Sequence, residues 1–448
     1  MSAGQSNEPW YFSTVARRLP ISDGARGEAV EIRIAETALR AFERESIAAA
    51  ALASGTRVLS RSLKYHRPRT FFCLEGHCSG CLVRLGGVPN LRACQTPCTA
   101  GTEAAGQNAF PSAEHDLFGA VDFLFSRGLD HHTLMTRSSV LNKLANKVVR
   151  QLSGLGKLPE TAATELPAVA ERSVDACVIG GGPAGLAAAT RLASAGHRTL
   201  LVDDQLRAGG SLRADPRAGR DVADQRAAAA IAAGVELLGR ATAIGYFPED
   251  DSGVLAVAAP DQLVRVHARA WIWATGGYVV NLPFADNDRP GVIAARAVGR
   301  LLVEHGILGG ERICIIEGPR LAPEVGALAA ALEHAGAAIE RVPVADTVGT
   351  RGRGWVTAVE TSSGLIDCDL VAVAATPSPA SEGARQQGCR VVLDPDAGGF
   401  KIVVDEAGRT FAQNVWACGD VTGYRGTELA ARDGERVGAN VAAALGAS

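Results

Sequence analysis

The sequence has little net charge, no long apolar run and no cluster of catalytic acid, base and nucleophile. Net charge is −3, so no bulk field recruits nucleic acid or an anionic membrane. No stretch approaches the roughly 20 apolar residues that a membrane-spanning helix needs. The opening segment MSAGQSNEPWYFSTVARRLP contains no apolar core of the kind a secretory signal carries. No Ser/His/Asp grouping or general-base motif stands out, so redox or transfer chemistry is expected to lie in bound cofactors. These absences predict a cytoplasmic, reducing setting. There, clustered cysteines more often bind metal or do redox chemistry than form structural disulfides. The balance of 47% hydrophobic and 21% charged residues over 448 positions suits two or three ordinary globular domains.

Five of the ten cysteines fall in FFCLEGHCSGCLVRLGGVPNLRACQTPC, residues 71–98. Cys73, Cys78 and Cys81 fit C-x4-C-x2-C, and Cys94 follows after a strand-like CLVRLGG and a turn. That spacing is the plant-type pattern for a [2Fe–2S] cluster, in which a loop wraps the cluster and a fourth thiolate arrives from a neighbouring element. Gly76 and Gly80 lie in the wrap, where a missing Cβ lets backbone approach the inorganic sulfide. Cys98 competes with Cys94 for the fourth position. A structural zinc site is the alternative, but zinc prefers paired C-x2-C knuckles and only one such pair is present. Upstream, EAVEIRI alternates as a half-buried strand and ESIAAAALASG reads as a short helix. Strand, helix and cysteine loop in that order suit a β-grasp ferredoxin domain.

The second signal is VDACVIGGGPAGLAAATRLASAGHRTLLVDD. A buried strand, 176–179, leads into Gly180, Gly182 and Gly185, a helix spans 186–195, and the strand RTLLV ends at Asp203. This is the full context that G-x-G-x-x-G requires. Gly180 makes the turn, Gly182 admits a pyrophosphate to the helix N-terminus, and Gly185 allows close helix–strand packing. Asp203 is placed to accept hydrogen bonds from an adenosine ribose. Further on stand AGG (208–210), WIWATGG (271–277) and NVWACGD (414–420), the last followed by a helical stretch.

These four motifs, in this order, resemble the two-dinucleotide-binding-domain flavoproteins of the glutathione-reductase type, over about residue 174 to residue 448. The resemblance implies FAD, with Gly210, Thr275 and Gly276 in its site and Asp420 on the ribityl chain. Read without the family, Asp420 could equally be a helix N-cap. A second Rossmann unit belongs at ERICIIEGPRLAPEVGALAAALEHAG, but Ile316, Gly318 and Leu321 stand at its three glycine positions. Ile316 and Leu321 would crowd a second pyrophosphate and Glu317 would repel it, so direct reduction by NAD(P)H is disfavoured. No C-x4-C follows Gly210 and no C-x-x-C appears in the second unit, which disfavours disulfide reduction. Cys177, Cys314, Cys368, Cys389 and Cys418 read as buried small hydrophobes.

LSRSLKYHRPR (59–69), PNLRACQTP (89–97) and GQNAFPSAEHDLF (106–118) resemble the front of the large subunit of heterotetrameric sarcosine oxidase. The cysteine loop is similar to the small iron–sulfur subunits of hydrogen cyanide synthase and hydroxyproline dehydrogenase. The resemblance implies an iron–sulfur subunit fused ahead of an FAD subunit. Leu74, where a small residue is expected, and Cys98 depart from the pattern, and no folate-binding region follows. The expected fold class is α/β and α+β multidomain: an N-terminal β-grasp [2Fe–2S] ferredoxin-like domain, then a glutathione-reductase-type two-dinucleotide-binding-domain flavoprotein. Expected boundaries are an extension at 1–27, the ferredoxin-like domain at 28–112 and a helical linker at 113–170. The FAD-binding domain follows at 171–289, the degenerate second Rossmann domain at 290–395, and the FAD-binding domain resumes at 396–448.

The implied function is electron transfer in an amine or amino/imino acid dehydrogenase complex. The implied partners are an amino-acid-oxidase-type FAD catalytic subunit and a downstream acceptor, in a hetero-oligomer without nucleic acid or a transmembrane segment. The expected location is cytoplasmic, or peripheral to a membrane through a respiratory acceptor. The basic stretch 61–69 either docks the partner or is a solvated turn. A free-standing FAD/iron–sulfur reductase and a structural or regulatory subunit with vestigial cofactors are the other two readings.

Overall fold

The computed structural model describes residues 16–21, 26–63, 65–119, 139–140, 142–143, 167–248, 253–318 and 324–447. The expected linker helices fall almost wholly outside these residues, as do His131, His132 and Leu321.

The N-terminal part is a five-stranded sheet in the order Thr37–Phe42, Ala29–Ile34, Glu103–Gly106, Leu82–Leu85, Val88–Arg92. Its first and last long strands pair in parallel through Arg33–Glu103 and Ile34–Ala104, flanked by antiparallel hairpins. Inward positions of the first strand, Ile32 and Ile34, are buried and alternate with exposed Glu31 and Arg33, the period-2 pattern of a one-sided sheet. The helix Ile47–Ala53 lies on the buried face. Ser46 caps it by accepting from the Ala49 N–H at 3.3 Å, and Ile47 through Leu52 are all buried.

The middle of the chain builds a seven-stranded sheet. Glu236–Leu238, Thr199–Val202, Ala168–Ile179 and Gln262–Trp273 run parallel, and Val415–Ala417 returns from near the C-terminus to pair with Trp271–Trp273. Two antiparallel strands, Thr242–Phe247 and Val254–Ala258, complete it. The strand before the glycine turn is longer than expected, since it starts at Ala168. Only its last third is apolar on both faces, which is why the pattern marked just 176–179. The following helix starts three residues early, at Pro183, because proline at the first helical position loses no hydrogen bond.

A four-stranded parallel sheet, Val292–Ala294, Leu370–Ala374, Arg312–Glu317 and Ala338–Pro343, forms the second Rossmann-like unit. The N-terminal sheet is fastened to it. Arg17–Arg18 pairs with Ile307–Leu308, the Ala294 N–H donates to the Phe72 carbonyl at 3.0 Å, and a single apolar core runs from Ile32 and Ile47 to Leu301, Ile315 and Leu370. Each fully buried Ile or Leu contributes roughly 1.5–3 kcal/mol over exposure, so the cysteine loop is held against the second Rossmann-like unit by a shared core.

Two arginines of the basic stretch 61–69 make contacts within the fold. Arg61 donates to the carbonyls of Ala113 at 2.6 Å and Glu114 at 2.9 Å, and Arg69 pairs with Asp288 at 2.9 Å across 219 residues. These two arginines fasten both ends of the stretch to other parts of the fold.

Candidate functional site: a cysteine loop on a dinucleotide cleft

Residues 71–81 form no regular secondary structure. The loop coils because Leu74 and Gly76 take left-handed conformations, φ 53° and 81°. Gly80 meets a close backbone approach within the protein. A Cβ there would stand 2.1 Å from the Thr70 carbonyl oxygen, so the glycine admits the neighbouring backbone. Leu74, the departure from the expected small residue, is 1% exposed, so the loop buries a large side chain from a left-handed residue.

The four expected cysteines come together. The sulfurs of Cys73 and Cys78 are 3.4 Å apart, and the short turn that carries Cys94 is tied to the loop by the Ala93 N–H, which donates to the Cys81 carbonyl at 3.0 Å. The Cys73 sulfur accepts from the N–H groups of Glu75 at 3.4 Å and Cys78 at 3.3 Å. The thiols of Cys78 and Cys94, with those N–H groups, hold Cys73 far below the ordinary thiol range; Cys78, opposite it, is pushed far up. Among the described residues no three His, Cys, Asp or Glu side chains surround one single-ion position. Three of the thiols come from one loop and the fourth, Cys94, from the turn tied to Cys81, and a two-iron cluster takes four cysteines, two on each iron. The donor set therefore fits a [2Fe–2S] group. Cys98 lies apart: it is fully buried, and burial followed by the charge of Glu45 pushes its thiol up to about 12.

Beside this loop, at the C-terminal ends of the parallel strands, opens a cleft of about 1210 Å3 including its mouth. Gly180 turns at φ 106°, and a Cβ on Gly185 would stand 1.8 Å from the Gly180 carbonyl, so helix and strand can touch only through glycine. Gly182 is the helix N-cap, and a Cβ there would meet nothing within 4 Å. The space above the helix N-terminus is thus open to an anion. Asp203 accepts from the Gly181 N–H at 3.0 Å with one carboxylate oxygen; the other is buried without a hydrogen-bond partner. An orphaned acceptor beside an open pyrophosphate cradle fits a dinucleotide whose ribose hydroxyls donate to it.

Gly210, Thr275, Gly276 and Asp420 all line the same cleft. Thr275 donates to the Ala380 carbonyl at 2.7 Å, and Asp420 accepts from the Arg425 N–H at 2.9 Å. Asp420 caps no long helix, since the N-cap of the helix Thr427–Gly446 is Gly426. Ser211, Arg296 and Asp420 also line a second, mostly apolar cavity of about 640 Å3, walled by Val279, Leu328 and Val373.

Burial, reinforced by Asp204, raises Asp203 to about 6. An acid whose folded value lies above its ordinary 3.8 lends stability that is full below about pH 4 and is lost as pH rises through about 6. The expected result is that unliganded wild type loses thermal stability relative to Asp203→Asn between pH 4 and pH 7, measured by calorimetric melts of both proteins. A constant difference across that range contradicts the assignment.

Sequence reasoning missed several cleft residues. Glu75 and His77, from inside the cysteine loop, line the cleft along with Asp204, Gln205, Tyr278, Arg296 and Arg300. The His77 ring stands edge-on to Tyr278 at 4.7 Å. Burial, then the Glu382 carboxylate, raises the Tyr278 hydroxyl to about 12. A charged residue inside a metal-binding wrap, CLEGHC, was the available signal for Glu75.

In the second Rossmann-like unit, Ile316 is fully buried between Val342 and Val373. Glu317 is paired with Arg341, so its charge is partly neutralised. The repulsion expected from it is therefore weaker than the sequence suggested. The five scattered cysteines, Cys177, Cys314, Cys368, Cys389 and Cys418, are all buried.

Residues 27–109 match the family described as 2Fe-2S iron-sulfur cluster binding domain. Residues 178–234 match an NAD(P)-binding Rossmann-like domain, and 310–434 match pyridine nucleotide-disulphide oxidoreductase. The sarcosine oxidase subunit alpha of Rhizobium meliloti (strain 1021) is 30% identical over 410 residues, covering 81% of this chain. The chain resembles sarcosine oxidase alpha subunits across both its parts. That of Corynebacterium sp. (strain P-1) is 28% identical over 323 residues, covering 67% of this chain. The chain spans 41% and 29% of the lengths of these two relatives. In fold it is similar to the L-proline dehydrogenase of P. horikoshii, with a TM-score of 0.72 and 19% identity over 94% of this chain and 74% of that one. With the matched domains and the site geometry together, the chain is a flavin-dependent oxidoreductase polypeptide that takes FAD and a [2Fe–2S] cluster. Among the described residues no helix is long and apolar enough to cross a membrane.

Proposed function

We propose that this chain is the electron-transfer subunit of a hetero-oligomeric amine or amino/imino acid dehydrogenase complex, in which an amino-acid-oxidase-type FAD subunit oxidises the C–N bond. The observation that carries the reading is the cysteine loop forming part of the wall of the dinucleotide cleft within one chain. When bound, FAD exchanges electrons in pairs and the cluster exchanges them singly. Cys73, Cys78, Cys81 and Cys94 are the proposed cluster ligands. Gly180, Gly182 and Gly185 would leave the helix N–H groups open to the pyrophosphate. Asp203 would accept from the adenosine ribose and Asp420 from the ribityl chain, while Gly210, Thr275 and Gly276 shape the cleft.

Sarcosine is a secondary amine, and the likeness to alpha subunits of sarcosine oxidase is what points to C–N oxidation on another chain. The proposed setting is cytoplasmic, in keeping with ten cysteines all present as free thiols. A downstream acceptor takes the electrons onward. Co-purification of the chain with its native partner, followed by a screen of amines, tests the assignment.

The free-standing reductase reading is tested separately, by anaerobic mixing with NADH or NADPH alone. With Ile316 filling the strand end, the flavin absorbance should stay unchanged. Bleaching within seconds would mean that the second Rossmann-like unit accepts a nicotinamide donor, and the free-standing reading would replace this one.

A further inference from the structure

The cysteine loop and the adenosine end of the cleft are held by one buried polar clasp. Glu75 lies between Cys73 and Cys78 and is 5% exposed. Its carboxylate faces Arg300 at 3.7 Å and Arg296 at 3.8 Å. Its backbone carbonyl accepts from the Gln205 amide at 3.0 Å. The Gln205 side-chain oxygen in turn accepts from Arg300 at 3.0 Å and from Gln95, the neighbour of Cys94, at 3.1 Å. Arg300 closes the circuit by donating to the Gly210 carbonyl at 3.2 Å, and Gly210 packs against Gly182. The clasp thus joins two segments that carry the cysteines to two that carry the cleft.

We propose that iron loading of the cysteine loop and dinucleotide binding in the cleft are reciprocally coupled through Glu75, Gln205 and Arg300, so that each site when filled tightens the other. The inference rests on the cofactor assignment given above. Between Cys73 and Cys78 the chain passes through two left-handed residues, Leu74 and Gly76. Ligation at both ends fixes that path, and with it Glu75 and the cleft wall beside Asp204. Without ligation the wall loosens, Gln205 loses an acceptor, and the nucleotide binds to a site that must first be ordered. The coupling is symmetrical by thermodynamic necessity.

The test is a fluorescence titration of FAD into full-length apoprotein, iron-reconstituted or iron-free, for wild type and Glu75→Gln. Wild type should bind FAD about tenfold more tightly when iron-loaded. By reciprocity, FAD should slow iron loss to a chelator by a similar factor. In Glu75→Gln, which keeps the volume and removes the charge, both differences should shrink to about twofold or less. An FAD affinity indifferent to iron in wild type overturns the coupling, and an undiminished effect in Glu75→Gln overturns the role of the clasp. A wild-type chain that takes up neither iron nor FAD contradicts the cofactor assignment itself, a distinct outcome.

Discussion

Replacing Cys94 by serine is expected to strip iron and acid-labile sulfide from the purified chain, whereas replacing Cys98 leaves about two of each per chain. The two cysteines are four residues apart and both buried, so exposure does not separate them. Their surroundings do. Cys94 lies on a short helical turn anchored to the loop by the Ala93 N–H donating to the Cys81 carbonyl at 3.0 Å, and the neighbouring thiols of Cys73 and Cys81 push its own thiol far up. Cys98 donates its backbone N–H to the Glu45 carbonyl at 3.0 Å, and burial followed by the Glu45 charge, with no thiol among the causes, raises its own thiol. Cys98→Ser buries a hydroxyl at a cost of about 1–3 kcal/mol, which lowers the melting temperature but keeps the cluster. Metal analysis with a sulfide assay, done anaerobically, reads both variants. Loss of iron in Cys98→Ser alone would reassign the fourth ligand.

Gly182→Val is expected to abolish FAD binding in a chain that still folds. The residue has φ −74° and ψ −173°, extended backbone that valine adopts without strain, and an added Cβ would touch nothing within 4 Å. The valine therefore meets only the pyrophosphate. Displacing two charge-assisted hydrogen bonds, at about 1.5–3 kcal/mol each, weakens affinity by about 100-fold or more. Gly185→Val is the contrast, because its Cβ collides with the Gly180 carbonyl and the protein should fail to fold. Equilibrium dialysis of FAD, with circular dichroism to monitor folding, distinguishes the two. Retained FAD in a folded Gly182→Val protein would move the pyrophosphate elsewhere.

What could be read from the sequence was local. The C-x4-C-x2-C spacing, the G-x-G-x-x-G turn and the strand–helix order each lie within about thirty residues, and backbone geometry dictates their meaning without the rest of the chain. The clasp was not legible because Glu75 and Arg300 are 225 positions apart and meet only after the N-terminal sheet docks on the second Rossmann-like unit. The partners of Arg61 at Ala113 and Glu114, and of Arg69 at Asp288, are likewise distant in sequence, and no local pattern marks them. Gly80 was legible as a glycine of the loop, but the Thr70 backbone that crosses it was not, since sequence gives a glycine's position and not its distant neighbours. Asp204 escaped notice because its neighbour Asp203 fits the ribose position equally well. Asp203 is the buried, half-unpaired one, and Asp204 stands exposed at the same cleft.

The most direct test of the electron-transfer role is anaerobic addition of the amine substrate to the chain with and without its native partner, followed by low-temperature EPR. The account predicts a rhombic signal from the reduced [2Fe–2S] centre only when amine and partner are both present. A signal of the same size from amine and this chain alone would place C–N oxidation here, and no signal under any combination would remove the cluster from the path.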